Sequence, residues 1–103
     1  MADDFSWTVT GTTPWSRTYK GKQTVLGELF GPLAERVVTP MMTIPRRVIA
    51  DGEFVVVEAE GQNTTRDGRP YNNRYCFVFR VREGKLREVT EYFDTELVTK
   101  ALT

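Results

Sequence analysis

The strongest constraint on the fold is an alternating run of residues from Tyr75 to Val81. Its odd positions carry three aromatic residues and a valine, whereas its even positions carry a cysteine, a valine and an arginine. Successive side chains of a β-strand point to opposite faces, so this alternation predicts a strand with one largely aromatic face. A second run of mixed apolar and polar residues follows Glu83-Gly84. We therefore predict that the two runs pair as a hairpin.

The length of the connecting loop sets the register of this hairpin. A two-residue loop, Glu83-Gly84, requires a positive φ at a glutamate, whereas a three-residue loop, Arg82–Gly84, requires it only at the glycine. We therefore predict the three-residue loop, which places Glu91 directly opposite Tyr75. A slip of one residue would exchange the two faces of the strand, so the assignment of Glu91 to a face depends on this register.

The preceding hairpin is predicted to bring two further carboxyls to the same face. A two-residue turn at Asp67-Gly68, a common hairpin signal, would place Glu60 opposite Tyr75 and Glu58 on the same side of its strand. Glu60 and Glu91 would then flank Tyr75 in one row. Adjacent strands lie ~4.8 Å apart, so the two glutamates would begin ~10 Å apart at the backbone.

Three further strand signals flank these hairpins. The segment Phe5–Val9 alternates and predicts a first strand with Trp7 and Val9 on its buried side. A strand is also expected over Met41–Ala50, and Pro45 restricts it to an edge or a bulge. The next strand follows immediately, because an Asp-Gly turn signal separates the two.

Two helices complete the predicted elements. Apolar residues recur at helical spacing after Gly21 and include Phe30, and a break or kink is expected at Gly31-Pro32. A short terminal helix is expected after Asp94, with Asp94 or Thr95 as its N-cap. Strands followed by separate helices predict an α+β fold rather than an α/β fold.

The composition excludes several classes of chemistry. The chain has 14 basic and 14 acidic side chains, no histidine and a single cysteine, Cys76. Without imidazole groups, the usual histidine-ligated metal sites and nucleophilic triads are excluded, and we predict no metal site and no cofactor. Acid/base chemistry must then rely on carboxyl groups, tyrosines, lysines or Cys76.

Length and charge predict the broad class of the protein. A chain of 103 residues that is 40% hydrophobic can bury one core, so we predict a single domain spanning residues 1–103. Its zero net charge favours neither nucleic acid nor a membrane surface as a partner. The chain shows no signal peptide and no membrane-spanning apolar run, which predicts a cytoplasmic location.

The face shared by the glutamates is a candidate site for acid/base chemistry. Glu91 and Glu60 are predicted to exchange protons, with Glu58 as a third acid and Tyr75 as a hydrogen-bond donor. Burial and mutual repulsion raise the pKa of a carboxyl, so one acid can hold a proton at neutral pH beside an ionised one. The predicted ligand-binding residues around them are Trp7, Val9, Trp15, Phe30, Asn73, Phe77, Val89 and Phe93.

Several short segments occur in an order and spacing that resemble one protein family. They are Gly11–Ser16, Tyr19–Lys22, Asp51-Gly52, Tyr71-Asn72, Arg82–Lys85 and Glu91–Asp94. Together they resemble the SnoaL-like group of the nuclear transport factor 2-like superfamily, which includes ketosteroid isomerases and limonene epoxide hydrolases. The resemblance spans essentially the whole chain. It implies a curved, mostly antiparallel β-sheet packed on helices around a conical pocket (a cystatin-like roll), with the N-terminal helices shortened or missing.

The resemblance carries catalytic residues over only in part. Limonene epoxide hydrolases activate water with an Asp-Arg-Asp set, whose last acid falls on Glu91, whose arginine falls on Glu58 and whose other acid falls on Glu60. The general base of ketosteroid isomerases falls on Val9 and their oxyanion-binding acid near Phe77. Neither set is complete in this chain.

Two functions stay open from the sequence. The first is an isomerase, cyclase or hydrolase that acts on a small hydrophobic molecule with paired carboxylates. The alternative, motivated by the absent arginine, is a non-catalytic ligand-binding or dimerisation module, in which the glutamates are solvated or paired with Arg46, Arg47 or Arg87.

A homodimer through the sheet is also predicted. The resemblance implies dimerisation, and the sheet face away from the glutamates would be apolar with little helix to cover it. The residues predicted on that face are Val55, Val57, Ala59, Cys76 and Val78. The expected partners are therefore a small hydrophobic ligand and a second copy of the chain.

Overall fold

The computed structural model describes residues 2–103. The strands are β1 (Ser6–Val9), β2 (Arg17–Lys20), β3 (Thr43–Asp51), β4 (Phe54–Gly61), β5 (Asn63–Thr64), β6 (Pro70–Tyr71), β7 (Arg74–Arg82) and β8 (Lys85–Phe93). The helical segments are α1 (Lys22–Thr24), a π-helical stretch (Val25–Phe30), α2 (Gly31–Arg36) and α3 (Thr95–Leu102). No helix within residues 2–103 is long and apolar enough to cross a membrane.

Six strands form one curved sheet in the order β2-β1-β8-β7-β4-β3. Neighbouring strands are antiparallel except β1 and β8, which run parallel. The short strands β5 and β6 form a ribbon of their own between β4 and β7. The predicted α+β fold is confirmed, with an open and mostly antiparallel sheet. Strand β2 was not among the predicted elements.

The segments α1, the π-helical stretch and α2 form one continuous first helix over residues 22–36. This first helix and α3 lie on one side of the sheet, which we call the inner face. The inner face carries Trp7 and Val9 on β1, which lie beside Val89 and Glu91 on β8. The main core cluster combines this face with the first helix, and its buried members are Phe5, Val9, Tyr19, Val25, Leu29 and Val89. A second cluster packs α3 against β6 and the end of α2, and its buried members are Val37, Tyr71, Val98, Ala101 and Leu102.

The first helix changes type where a break was predicted. The backbone N–H of Gly31 bonds to the carbonyl of Leu26, five residues earlier, which is the π-helical pattern. Pro32, which has no backbone N–H to donate, lies in the first turn of α2 directly after this change. The helical segments therefore follow one another without an intervening loop.

The start of α3 follows the predicted capping. The Asp94 side chain accepts a hydrogen bond of 3.2 Å from the backbone N–H of Leu97, which confirms Asp94 as the N-cap. Two residues of this helix, Val98 and Leu102, line a cavity between the helix and the sheet. The cap therefore fixes where one wall of that cavity begins.

The register predicted for β4 and β7 is wrong by one residue. The connecting turn has three residues, Arg66–Gly68, because the backbone N–H of Thr65 bonds to the carbonyl of Arg69 at 2.8 Å. The Thr65 hydroxyl also accepts the Arg69 N–H and donates to the Asp67 carboxylate, and Gly68 takes the positive φ. The longer turn exchanges the two faces of β4.

The exchange of faces changes the surroundings of β4. Val55, Val57 and Ala59 lie on the inner face, opposite Phe79, Phe77 and Tyr75 in that order. Glu58 and Glu60 therefore lie on the opposite side, which we call the outer face. The predicted apolar patch is split, because Cys76 and Val78 stay on the outer face while its three β4 members do not.

The register predicted for β7 and β8 is also wrong, but by two residues. The turn is Glu83-Gly84, and both residues have positive φ, as in the type I′ turns that suit a right-twisted hairpin. A bulge follows, at which Arg87 has no partner on β7. Glu91 consequently lies opposite Phe77 rather than Tyr75. A shift of two residues preserves the face, so Glu91 stays on the inner side.

Candidate functional site

A cavity of about 400 Å³ lies between the inner face and the helices. Six of the predicted ligand-binding residues line it: Trp7, Val9, Trp15, Phe30, Phe77 and Phe93. The further lining residues are Leu29, Leu33, Ala34, Thr39, Met41, Thr43, Tyr71, Tyr75, Glu91, Val98 and Leu102. The lining is therefore mostly apolar and aromatic, with a few polar groups, as is usual for small-molecule sites.

Among the lining residues within 2–103, Glu91 is the only one with a carboxyl group. It projects from β8 between Val9 on β1 and Phe77 on β7. The indole N–H of Trp7 donates a hydrogen bond of 2.9 Å to Glu91 Oε1. Burial raises the pKa of Glu91 to about 7, and the Trp7 hydrogen bond opposes this shift by favouring the ionised form. Glu91 can thus either give or take a proton near neutral pH.

Aromatic rings hold Glu91 and its partner in place. Trp7 packs edge-on against Phe30, with ring centroids 5.1 Å apart, and against Phe77 at 6.3 Å. Tyr75 stacks on Phe77 at 5.1 Å. Such contacts restrict the rotamers of the rings. The Trp7 N–H is therefore fixed toward Oε1, and Oε2 is the oxygen left for a ligand.

Two buried tyrosine hydroxyls are further polar groups of the cavity. Tyr71 and Tyr75 are 3% and 8% exposed, so both phenols are buried. Burial is the largest cause that raises the pKa of each tyrosine, and the negative charge of Glu91 raises both further. Both hydroxyls therefore stay protonated at neutral pH and can donate hydrogen bonds.

Tyr71 was not among the predicted site residues. Its signal is the continued alternation Tyr71, Asn73, Tyr75 and Phe77, which places it on the same side of the chain as two of the cavity residues. The polar Asn72 and Asn73 and the preceding proline interrupt the apolar pattern there, so the segment reads as a turn.

Glu58 and Glu60 do not reach the cavity. Glu58 pairs with Arg47 at 2.9 Å and Glu60 pairs with Arg46 at 3.2 Å, and all four side chains are largely exposed on the outer face. The predicted row of carboxylates is wrong, because the three-residue turn at Arg66–Gly68 moves both glutamates to the other side of the sheet. The pairing with arginines is the alternative that the sequence left open.

A comparison with models of protein families identifies the family of this chain. The model of the SnoaL-like domain matches residues 1–89. The chain belongs to the SnoaL-like family. No curated protein matches it in sequence.

Solved structures similar to this SnoaL-like domain support the same fold. An NTF2-like protein from Burkholderia xenovorans is 26% identical, with a TM-score of 0.80 over 99% of this chain and 77% of that one. A candidate SnoaL-like polyketide cyclase from Jannaschia sp. is 16% identical, with a TM-score of 0.82 over 99% and 72%. TerC, co-crystallised with polyporic acid, is 22% identical, with a TM-score of 0.83 over 99% and 79%.

Two predicted ligand-binding residues of this SnoaL-like domain lie outside the cavity lining. Val89 is 1% exposed and belongs to the main core cluster, where it pairs with Phe79 across the strands. Asn73 is 1% exposed, and its side-chain amide donates a hydrogen bond to the Tyr71 hydroxyl. Neither residue lines the cavity, because β8 pairs two residues further along than expected and β7 begins after Asn73.

The domain offers little to a metal ion. Within residues 2–103, no three His, Cys, Asp or Glu side chains converge closely enough to hold one. The side-chain polar groups of the lining residues are Glu91, the two phenols, the hydroxyls of Thr39 and Thr43, and the indole N–H groups of Trp7 and Trp15.

Proposed function

We propose that this domain binds a small, mostly apolar carbonyl compound in the cavity and moves one of its protons with Glu91. The observation that carries the proposal is a carboxyl with a pKa of about 7 that stands alone in an apolar, aromatic cavity. General acid/base catalysis works best when the pKa of the group lies close to the working pH. The surroundings of Glu91 bring its pKa into that range.

The chemistry follows from one carboxylate and two hydroxyls. Ionised Glu91 takes a proton from the carbon beside the ligand carbonyl, and the C–H electron pair moves to the carbonyl oxygen to form an enolate. A phenol hydrogen bond stabilises the oxygen on which this charge develops. Glu91 then returns the proton to the same carbon, or, in a ligand whose enolate is conjugated with a C=C bond, to the far carbon of that conjugated system, which isomerises the ligand. The carboxylate is regenerated in the same step.

The lining also favours one class of ligand. None of the cavity residues is a lysine or an arginine, so an anionic ligand would lack a counter-charge and would be repelled by ionised Glu91. Uncharged aromatic or polycyclic ketones and quinones match the ring-rich walls. One structural neighbour is named a candidate polyketide cyclase, and that name supports a polycyclic ketone as the ligand.

Binding without turnover is the second candidate function. Its supporting observation is that Glu58 and Glu60 are on the outer face, which leaves Glu91 without a second carboxyl to share the proton transfer. Under this alternative the same ligands bind, but their protons do not exchange with water faster than in free solution.

A probe ketone, 2-acetonaphthone, separates these two functions. Both tryptophans of the chain line the cavity, so binding is expected to quench the tryptophan fluorescence. In D₂O, NMR is expected to show protein-catalysed exchange of its methyl protons, with a rate that rises up to about pH 7 and then levels off. The reason is that only ionised Glu91 is a base and its pKa is about 7. A catalysed rate that levels off near pH 4.5, or no catalysed exchange, would contradict the proton-transfer role.

We also propose a homodimer through the outer face. Ile49, Phe54 and Tyr92 are 54%, 46% and 51% exposed there, beside the partly buried Val56 and Val78. Within residues 2–103 both helices lie on the inner face, so burial of these outer-face side chains needs a partner.

Sedimentation equilibrium at micromolar concentration tests the dimer. The wild-type protein is expected to be dimeric and Ile49→Lys monomeric, because the lysine would have to be desolvated at the interface. Leu26→Lys is the control, since Leu26 has a similar exposure of 41% but lies on the first helix. A monomeric wild type, or a dimer that tolerates Ile49→Lys, would overturn this interface.

A further inference from the structure

The buried amide of Asn73 has a fixed orientation behind the cavity wall. Its Oδ1 accepts hydrogen bonds from two backbone N–H groups, those of Arg74 at 2.8 Å and Asp94 at 2.9 Å. Its Nδ2 donates to the Asp94 carbonyl at 3.2 Å and to the Tyr71 hydroxyl at 3.4 Å. A flipped amide would lose both bonds to the backbone N–H groups. The group that faces the Tyr71 oxygen is therefore a donor.

This donor determines where the proton of Tyr71 can point. A phenol oxygen that accepts a hydrogen bond from Asn73 cannot direct its own proton toward the same group. The side of the Tyr71 oxygen that faces Asn73 is occupied by the amide donor, so the Tyr71 proton is directed away from Asn73, toward the cavity that Tyr71 lines.

We propose that Tyr71 donates the hydrogen bond to the ligand's carbonyl oxygen, and that Asn73 is the positioning residue that directs the Tyr71 proton into the cavity. This assignment rests on the proposed function, since it names the group that binds the oxygen of the same ligand. It replaces Tyr75, the donor predicted from the sequence, by the residue two positions before Asn73. It also narrows the ligand class to compounds with an exposed carbonyl or quinone oxygen, which a pure hydrocarbon lacks.

Bound 2-acetonaphthone, labelled with ¹³C at the carbonyl, reports this hydrogen bond directly. In the wild-type protein its C=O stretching frequency is expected to lie below the value in hydrocarbon solvent. Tyr71→Phe is expected to abolish this shift and to weaken binding by roughly 3- to 10-fold, the usual worth of one neutral hydrogen bond. Tyr75→Phe is expected to retain the shift, and the affinity of 2-ethylnaphthalene, which has no oxygen, is expected to be the same in Tyr71→Phe and the wild type.

Asn73→Asp tests the positioning role separately. The aspartate keeps acceptors for the two backbone N–H groups but replaces the Nδ2 donor by an acceptor, toward which the Tyr71 proton would turn. The carbonyl shift is then expected to disappear although Tyr71 is present. A role of Asn73 in folding alone would leave the shift intact. Should Asn73→Asp not fold, Asn73→Ser, whose hydroxyl oxygen can still accept a backbone N–H but whose side chain is too short to donate to Tyr71, is expected to reduce the shift.

The outcomes distinguish this assignment from the proposed function. A shift that survives Tyr71→Phe, or that is lost in Tyr75→Phe alone, would overturn the assignment while Glu91-dependent proton exchange could still hold. A shift that depends on Tyr71 without any proton exchange would support the assignment and contradict catalysis. Failure of both naphthalene probes to bind the wild-type protein would contradict the binding function and, with it, the role of Tyr71.

Discussion

Replacement of Glu91 by glutamine is expected to lower the protein-catalysed exchange of 2-acetonaphthone protons by ~10²- to 10⁴-fold, the usual worth of one positioned acid or base. Glutamine has nearly the same volume and keeps an oxygen that can accept the Trp7 hydrogen bond, which is 2.9 Å long in the wild type. The ligand should therefore still quench the tryptophan fluorescence. The measurement compares exchange rates by NMR in D₂O at about pH 8, where Glu91 of the wild type is ionised.

Glu88→Gln is the matched control for this loss. Glu88 lies on the same strand but on the outer face, where it is exposed and pairs with Arg80 at 3.2 Å. Its replacement is expected to leave the exchange rate unchanged. Equal rates for the wild type and Glu91→Gln, with the ligand still bound, would refute proton transfer by Glu91 and favour binding without turnover.

The second large effect is a dependence of stability on pH. The pKa of Glu91 is raised from 4.5 to about 7 in the folded protein, so folding favours its protonated form. The stabilisation of the folded protein by protonated Glu91 is fully present below about pH 4.5 and is lost as the pH rises through about 7. One pKa unit corresponds to about 1.4 kcal/mol, so the wild type is expected to lose about 3 kcal/mol of unfolding free energy over this range through Glu91 alone.

Urea unfolding at about pH 4.5 and about pH 8 measures this loss. Glu91→Gln removes the ionisable group, so at about pH 8 this variant is expected to be the more stable protein. Glu88→Gln is expected to follow the pH dependence of the wild type. If the unfolding free energy of Glu91→Gln depended on pH as that of the wild type does, Glu91 would be solvated and its pKa would not be raised. The predicted gain in stability with loss of activity is a trade-off typical of catalytic groups.

The alternation of residues was sufficient to assign the inner side of β7. Tyr75 and Phe77 point into the cavity, as predicted, because a strand's period of two needs no knowledge of the loop. Glu91 was placed on the correct face although its partner was wrong. The predicted turn and the actual turn with its bulge differ by two residues, and a shift of two preserves the face.

The face of β4 could not be predicted in the same way. The segment Val55–Val57 has valine at every position, so the alternation does not mark a buried side. The assignment then depended on a turn of two or three residues. Hydrogen bonds of Thr65 with Asp67 and Arg69 decide for three, and a turn signal based on Asp67-Gly68 alone does not include them. The one extra turn residue therefore moves both glutamates of β4 out of the predicted site.

The protonation state of Glu91 in the folded protein is the most direct test of this account. With ¹³C-labelled glutamate side chains, the carboxyl resonance that is absent in Glu91→Gln can be assigned to Glu91 and followed by NMR through a pH titration. We predict a midpoint close to 7 in the free protein, and a perturbation of this resonance when 2-acetonaphthone binds. A midpoint near 4.5 that is insensitive to 2-acetonaphthone would place Glu91 in water and contradict the account.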